Sequence, residues 1–148
     1  MKRIVSLVLL CGLSVFATIG EGQESPEKVR AKLVGVWMGY AVAGKGEKPD
    51  QGPVKIELTI TAERIQARQF KGKDDFDLGE GTFMLGSDKA PFHLDGDKKL
   101  NNPNRKEVWL GIYELDGDTL KWCVKRKGRP TEFATGDGAF LLILKRQK

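Results

Sequence analysis

Cys123 is the side chain of this sequence best placed to do chemistry. It stands between Lys121 and Lys125 in the stretch LKWCVK. A cysteine among cations has a favoured thiolate, the form that attacks electrophiles and binds metals. A zinc or redox centre needs several such groups. The other cysteine, Cys11, lies in an apolar leader, and His93 is the sole histidine. The pattern favours Cys123 as a small hydrophobe on a half-buried strand over a reactive or metal-binding thiol.

The acidic groups converge no better. Asp74, Asp75, Asp77 and Glu80 cluster in KDDFDLGE. A calcium loop needs oxygen ligands at alternate positions, then a glycine at the sixth place and a glutamate at the twelfth. Counting from Asp75, Asp77 is in step, but neither of the other two follows at its place, so the stretch reads as a solvated turn. Asp95-Gly96-Asp97 and Asp116-Gly117-Asp118 also read as turns. Glu57 and Glu114 fall on outward strand faces, where they cannot flank a scissile bond as paired carboxylates must. His93 has no Ser-His-Asp partners, and AGKGEKP lacks the Gly-Lys-Ser/Thr ending of a phosphate loop. The residue set implies no enzyme, no metal and no cofactor.

The N-terminus explains the leader. Lys2 and Arg3 precede the apolar run Ile4–Ile19, and EGQESPEK turns polar at once. This is the layout of a secretory signal peptide, residues 1–20, with cleavage after Ala17 or Gly20. It implies an exported, periplasmic or extracellular protein with no membrane span in the mature chain. Cys11 offers a minor lipid-anchor alternative, but Leu10 stands where an anchor has a small residue. Without the leader only Cys123 remains, so no internal disulfide is available. The formal charge of +5 falls further when Lys2 and Arg3 leave. With export, that mild excess argues against a nucleic-acid partner, and Arg126, Lys127 and Arg129 near Trp122 read as a solvated basic loop.

Residues 21–148 form one domain by length and patterning. Ser25-Pro26 predicts a helix start, with Val29 and Leu33 turned to the core. The period then changes to two. VGVWMGYAVA, VKIELTIT, RIQARQFK, GTFMLG, PFHLD, Val108–Leu115, Thr119–Val124 and AFLLILKR read as strands. GKDDFDLGE and GDKKLNNPNRK read as connectors. In VKIELTIT, Val54, Ile56, Leu58 and Ile60 share one face. About eight strands and one short helix predict an antiparallel β-barrel or sandwich.

Asp116-Gly117 signals a two-residue hairpin turn. That turn sets Leu115 opposite Asp118, Tyr113 opposite Leu120, Gly111 opposite Trp122 and Trp109 opposite Val124. One face then holds Trp109, Tyr113, Leu115, Leu120, Trp122 and Val124, with Gly111 leaving room for the Trp122 ring. The other face leaves Val108, Leu110 and Ile112 outward. Either the helix covers these aliphatics, or another chain does, or the register is off by one.

Leu33-x-Gly35-x-Trp37, Gly81-Thr82-Phe83, Leu110–Asp118, Arg129–Phe133 and Leu144–Arg146 together resemble an uncharacterised exported domain family expanded in Planctomycetes, lipocalin-like in fold. The resemblance spans the mature chain and implies an eight-stranded lipocalin-like barrel. Gly-x-Trp with a late basic residue also resembles the general lipocalin signature. That likeness implies that Trp37 closes one end of the barrel under Arg146, or under Lys145 in another register, in a structural role. The chain is shorter than a typical lipocalin and lacks its common disulfide.

The functional expectation is an exported, non-enzymatic binding module for a small hydrophobic molecule. Ile56, Phe83, Trp109, Tyr113 and Trp122 either line its cavity or fill the interior. The alternative is a cell-envelope interaction module that meets another protein chain through Val108, Leu110 and Ile112.

Overall fold

The structure is a computed structural model that describes residues 24–42, 54–71, 73–99 and 106–148. The expected signal peptide and Cys11 lie outside the described residues. The elements in chain order are α1 (Pro26–Leu33), β1 (Gly35–Val42), β2 (Val54–Ile60), β3 (Arg64–Lys71), β4 (Asp74–Gly86), β5 (Phe92–Lys99), β6 (Lys106–Asp116), β7 (Thr119–Lys125) and β8 (Phe140–Arg146). The eight strands form a closed antiparallel barrel, each beside its sequence neighbour and β8 beside β1. The expected fold class is met. Among the described residues no helix is long and apolar enough to cross a membrane.

Helix α1 starts as its sequence dictates. The Ser25 hydroxyl accepts from the Lys28 N–H, and Pro26 fills a first-turn site that needs no donor. Leu33 is fully buried and Val29 packs on the same cluster, so the helix plugs one end of the barrel. Arg30 ties it down, donating to the Ala62 carbonyl at 2.8 Å with its guanidinium 4.2 Å from the Phe83 ring centroid. In β2 the alternation reads true: Ile56, Leu58 and Ile60 are buried, while Lys55 is exposed.

The structure corrects three local expectations. KDDFDLGE is not a connector. From Asp74 onward it is the first half of β4, because its charges face outward and pair across the ladder, Asp75 with Arg68 and Glu80 with Arg64. Asp95-Gly96-Asp97 likewise lies within β5 rather than in a turn. The Asp97 carboxylate is held outward by the Thr82 backbone N–H at 3.0 Å and its hydroxyl at 2.8 Å.

The second correction is the β6–β7 turn, which falls one residue later than expected. Asp116 pairs with Thr119, Leu115 with Leu120 and Tyr113 with Trp122. Of the two turn residues only Gly117 has positive φ (53°), the pattern of a II′ turn with glycine first. The opposed pairs therefore move by two residues. A slip of two keeps every side chain on its face, so Trp109, Tyr113, Leu115, Leu120, Trp122 and Val124 all point inward as expected.

The third concerns the outward aliphatics. Neither α1 nor a register error accounts for them. The 126–139 connection between β7 and β8 folds back over the outer wall. Phe133 and Ala139 cover a second cluster of Val42, Ile112, Cys123, Leu141 and Ile143. Ile112 is 1 % exposed, Leu110 is partly buried, and Val108 alone of the three stays exposed, at 45 %.

One ion pair anchors that connection at a break in the sheet. The β5–β6 ladder stops after His93/Ile112 and resumes at Gly96/Trp109. Side chains satisfy the freed backbone groups. The Trp122 indole N–H donates to the Leu94 carbonyl at 2.9 Å. The Asp95 carboxylate accepts from the Gly111 N–H at 3.0 Å, and Arg129 donates to the Gly111 carbonyl at 2.7 Å. Arg129 also grips Asp95 with both nitrogens, at 2.5 and 2.7 Å. A Cβ on Gly111 would sit 2.3 Å from the indole nitrogen, so only glycine fits there.

Partial burial acts to raise the Asp95 carboxyl, but the hydrogen bonds from Arg129 and Gly111 outweigh it and hold the group below its ordinary value of 3.8. A depressed folded pKa stabilises above the unfolded value and loses that contribution as pH falls through the folded one. Arg129→Met is therefore expected to cost about 2 kcal/mol near neutral pH. The gap to the parent should shrink in urea titrations run at progressively more acid pH, below the ordinary carboxylate value. A gap that is constant with pH would contradict the Asp95 assignment.

Candidate functional site

The two ends of the barrel are packed differently. At the helix end, inward positions carry Trp37, Ile60, Ile65, Phe83, Leu120 and Leu144, all buried. Trp37 is fully buried, its indole N–H donates to the Leu33 carbonyl at 2.8 Å, and the Arg146 guanidinium lies 4.2 Å from its ring centroid. Arg146 pairs in register with Trp37, whereas Lys145 pairs with Met38 and is exposed on the outer wall. Arg146, not Lys145, is the lid.

At the far end the inward positions shrink. Ala41, Ala67, Gly79, Gly81 and Gly96 occupy sites where the helix end has large side chains. The result is an open cavity of about 410 Å³, within the range of small-molecule sites. Ile56, Leu58 and Trp122 form its deep wall, and Trp109 and Phe140 flank the mouth. The last two rings meet edge to face at 5.9 Å. Arg126 lies 4.7 Å from the Trp109 centroid and pairs with Glu107.

The five expected lining residues separate by height in the barrel. Ile56, Trp109 and Trp122 line the open cavity. Phe83 does not; it is buried under Arg30 near the helix end. Tyr113 does not either. It borders a concavity formed by Val29, Leu85, Phe92 and Leu115 beside α1, and burial pushes its hydroxyl pKa up. The sequence reading missed Ala41, Ala67 and Gly96, which create the space, and Gln69, Lys98 and Arg126 at the rim. Ala41, Ala67 and Gln69 continue the inward alternation of strands legible in the sequence, whereas Gly96 and Lys98 fall in GDKKLNNPNRK, expected as a connector but in fact the second half of β5 as far as Lys99.

Cys123 faces away from this cavity. It is fully buried beneath the 126–139 connection, its thiol 3.4 Å from the Ala134 carbonyl. Burial pushes the thiol pKa up, and the contact with the Ala134 backbone and the charge of Lys125 offset this only in part. That is the environment of a packing cysteine, not a nucleophile. Among the described residues no group of three or more His, Cys, Asp or Glu side chains is arranged to hold a metal ion.

Comparison with known proteins returns no matching family model, no matching curated protein and no matching solved structure.

Native Cys123 is expected to react with a soluble aromatic disulfide at least about a hundredfold more slowly than in urea-unfolded protein. Stopped-flow absorbance measures both rates. Rapid single-phase labelling of the folded protein would contradict the buried assignment.

Proposed function

We propose that this chain is an exported, non-enzymatic binding module that takes a small apolar molecule into the open end of its barrel. The observation that carries this reading is the contrast between ends. Large inward side chains and a helix fill one, while alanines and glycines leave an aromatic-walled cavity of about 410 Å³ at the other. A barrel selected only to be a solid scaffold gains stability from filling that space, since a void forfeits contact energy. The wall is chiefly apolar, and the indole N–H of Trp122 is already used by Leu94, so ring faces rather than hydrogen bonds meet the occupant.

The leader-like first 20 residues support export, and the resemblance to a lipocalin-like exported family supports the same compartment. The lack of a convergent acid, base and nucleophile at the mouth favours binding over catalysis. The interaction-module alternative keeps little of its proposed patch, because Ile112 is covered by this chain's own 126–139 connection.

N-phenylnaphthylamine, a neutral apolar fluorophore, is expected to bind with enhanced emission and to quench tryptophan fluorescence by energy transfer. Ala67→Phe fills the cavity and should weaken binding by about tenfold or more while leaving the melting temperature equal or higher. No binding by the parent, or undiminished binding by a folded Ala67→Phe variant, would overturn the reading.

A further inference from the structure

One cation at the cavity mouth is left without an ion-pair partner among the described residues. Strand parity turns Gln69, Lys98 and Glu107 inward at the rim, and Arg126, just past the end of β7, joins them there. Glu107 is taken by Arg126. The other described carboxylates at the rim are engaged as well: Asp97 by Thr82 and Lys106, Glu80 by Arg64. Lys98 stands opposite Glu107 in the ladder, yet makes no ion pair or hydrogen bond among the described residues. Its stem is laid across Gly79, where a Cβ would come within 2.5 Å of the lysine Cε and 3.1 Å of its Nζ. Gly79 has φ of +101°, a conformation L side chains rarely adopt. The backbone thus clears a path for the lysine along the cavity wall.

From this arrangement we infer that the occupant is an amphiphile with an apolar body and an anionic head, and that Lys98 is the residue that receives the head. An apolar tail against Ile56 and Trp122 leaves the other end of the molecule at the rim. There the described rim carries three carboxylates, Glu80, Asp97 and Glu107, each already engaged, and two cations, of which Lys98 is the one left without a partner among the described residues. An ammonium at that site neutralises an acid with a compact charge and rotatable donors. A neutral head gains less, and a cationic head meets repulsion. Arg126 contributes to the field but is held by Glu107 and stacked on Trp109, so the free donor set belongs to Lys98. The inference rests on the cavity reading above and adds the chemical class of the ligand.

Three probes of equal chain length test it: decanoate, decanol and decylammonium, each displacing bound N-phenylnaphthylamine from the full-length protein at low salt and neutral pH. Decanoate is expected to bind about tenfold more tightly than decanol, with decylammonium the weakest. Lys98→Met keeps the apolar stem and should abolish the preference for decanoate while leaving decanol unchanged. Lys98→Glu should reverse the order and favour decylammonium. Raising the salt concentration should narrow the spread among the three. Equal affinity of decanoate and decanol for the parent, or an unaltered preference in Lys98→Met, would overturn the anionic-head inference while leaving the cavity reading intact. Failure of all three probes to displace the fluorophore would overturn both.

Discussion

The fold depends on how one guanidinium is shared. Arg146, near the end of the last strand, lies over the ring of Trp37, near the start of the first. Its forked donors also reach the Val34 carbonyl at 2.6 Å and the Lys32 carbonyl, and its Nε meets Asp118 at 3.2 Å. Lys32 and Val34 bracket the C-terminus of α1, where carbonyls lack intrahelical donors. Between them the Leu33 carbonyl receives the Trp37 indole. Three consecutive carbonyls at the helix end are thus satisfied by two side chains of the barrel. A cation at that end also complements the helix dipole. One group therefore joins the β8–β1 seam, the buried indole, the plugging helix and the β6–β7 turn.

That closure makes the barrel's two ends unequal. With the helix seated, its end needs bulky inward side chains to exclude water, and it has them. At the other end no helix among the described residues lies against the barrel, and the inward positions carry small residues. The cavity is a consequence of this gradient in side-chain size along the barrel axis. Its rim keeps polar groups where solvent can reach them, and the position of Lys98 follows from strand parity alone. The outer wall is treated in the same economical way: its apolar stripe is sealed by the chain's own 126–139 connection, pinned by Arg129 at a point where the β5–β6 ladder is already broken.

Which face a residue occupies was legible in the sequence, and how far along the barrel it sits was not. Alternation is a local property of one strand, so Trp109, Tyr113 and Trp122 were rightly placed inside; the pairing of Trp37 with Arg146, or with Lys145, was implied instead by the resemblance to the lipocalin signature, and Arg146 is the partner found. Height depends on where the helix docks and on the stagger between strands, which no period records. Phe83 and Tyr113 were accordingly assigned to a cavity they do not border. The cover over Ile112 and Cys123 was hidden for a related reason: the 126–139 connection is irregular and carries no repeating pattern. Turn residues misled where carboxylates and glycines serve other purposes. Gly96 accommodates the Trp122 ring at ordinary contact distance, and Asp95 replaces missing ladder bonds.

The central claim is that Arg146 acts through its planar fork and not through charge alone. Equilibrium urea unfolding of Arg146→Met and Arg146→Lys, followed by tryptophan emission, tests it most directly. The methionine variant loses the ring contact and leaves helix-end carbonyls without donors, an expected cost of about 2–4 kcal/mol. The lysine variant keeps the charge but cannot reach two carbonyls and stack at once, so it should recover less than half of that loss. A methionine variant within about 0.5 kcal/mol of the parent, or a lysine variant of full stability, would contradict the account.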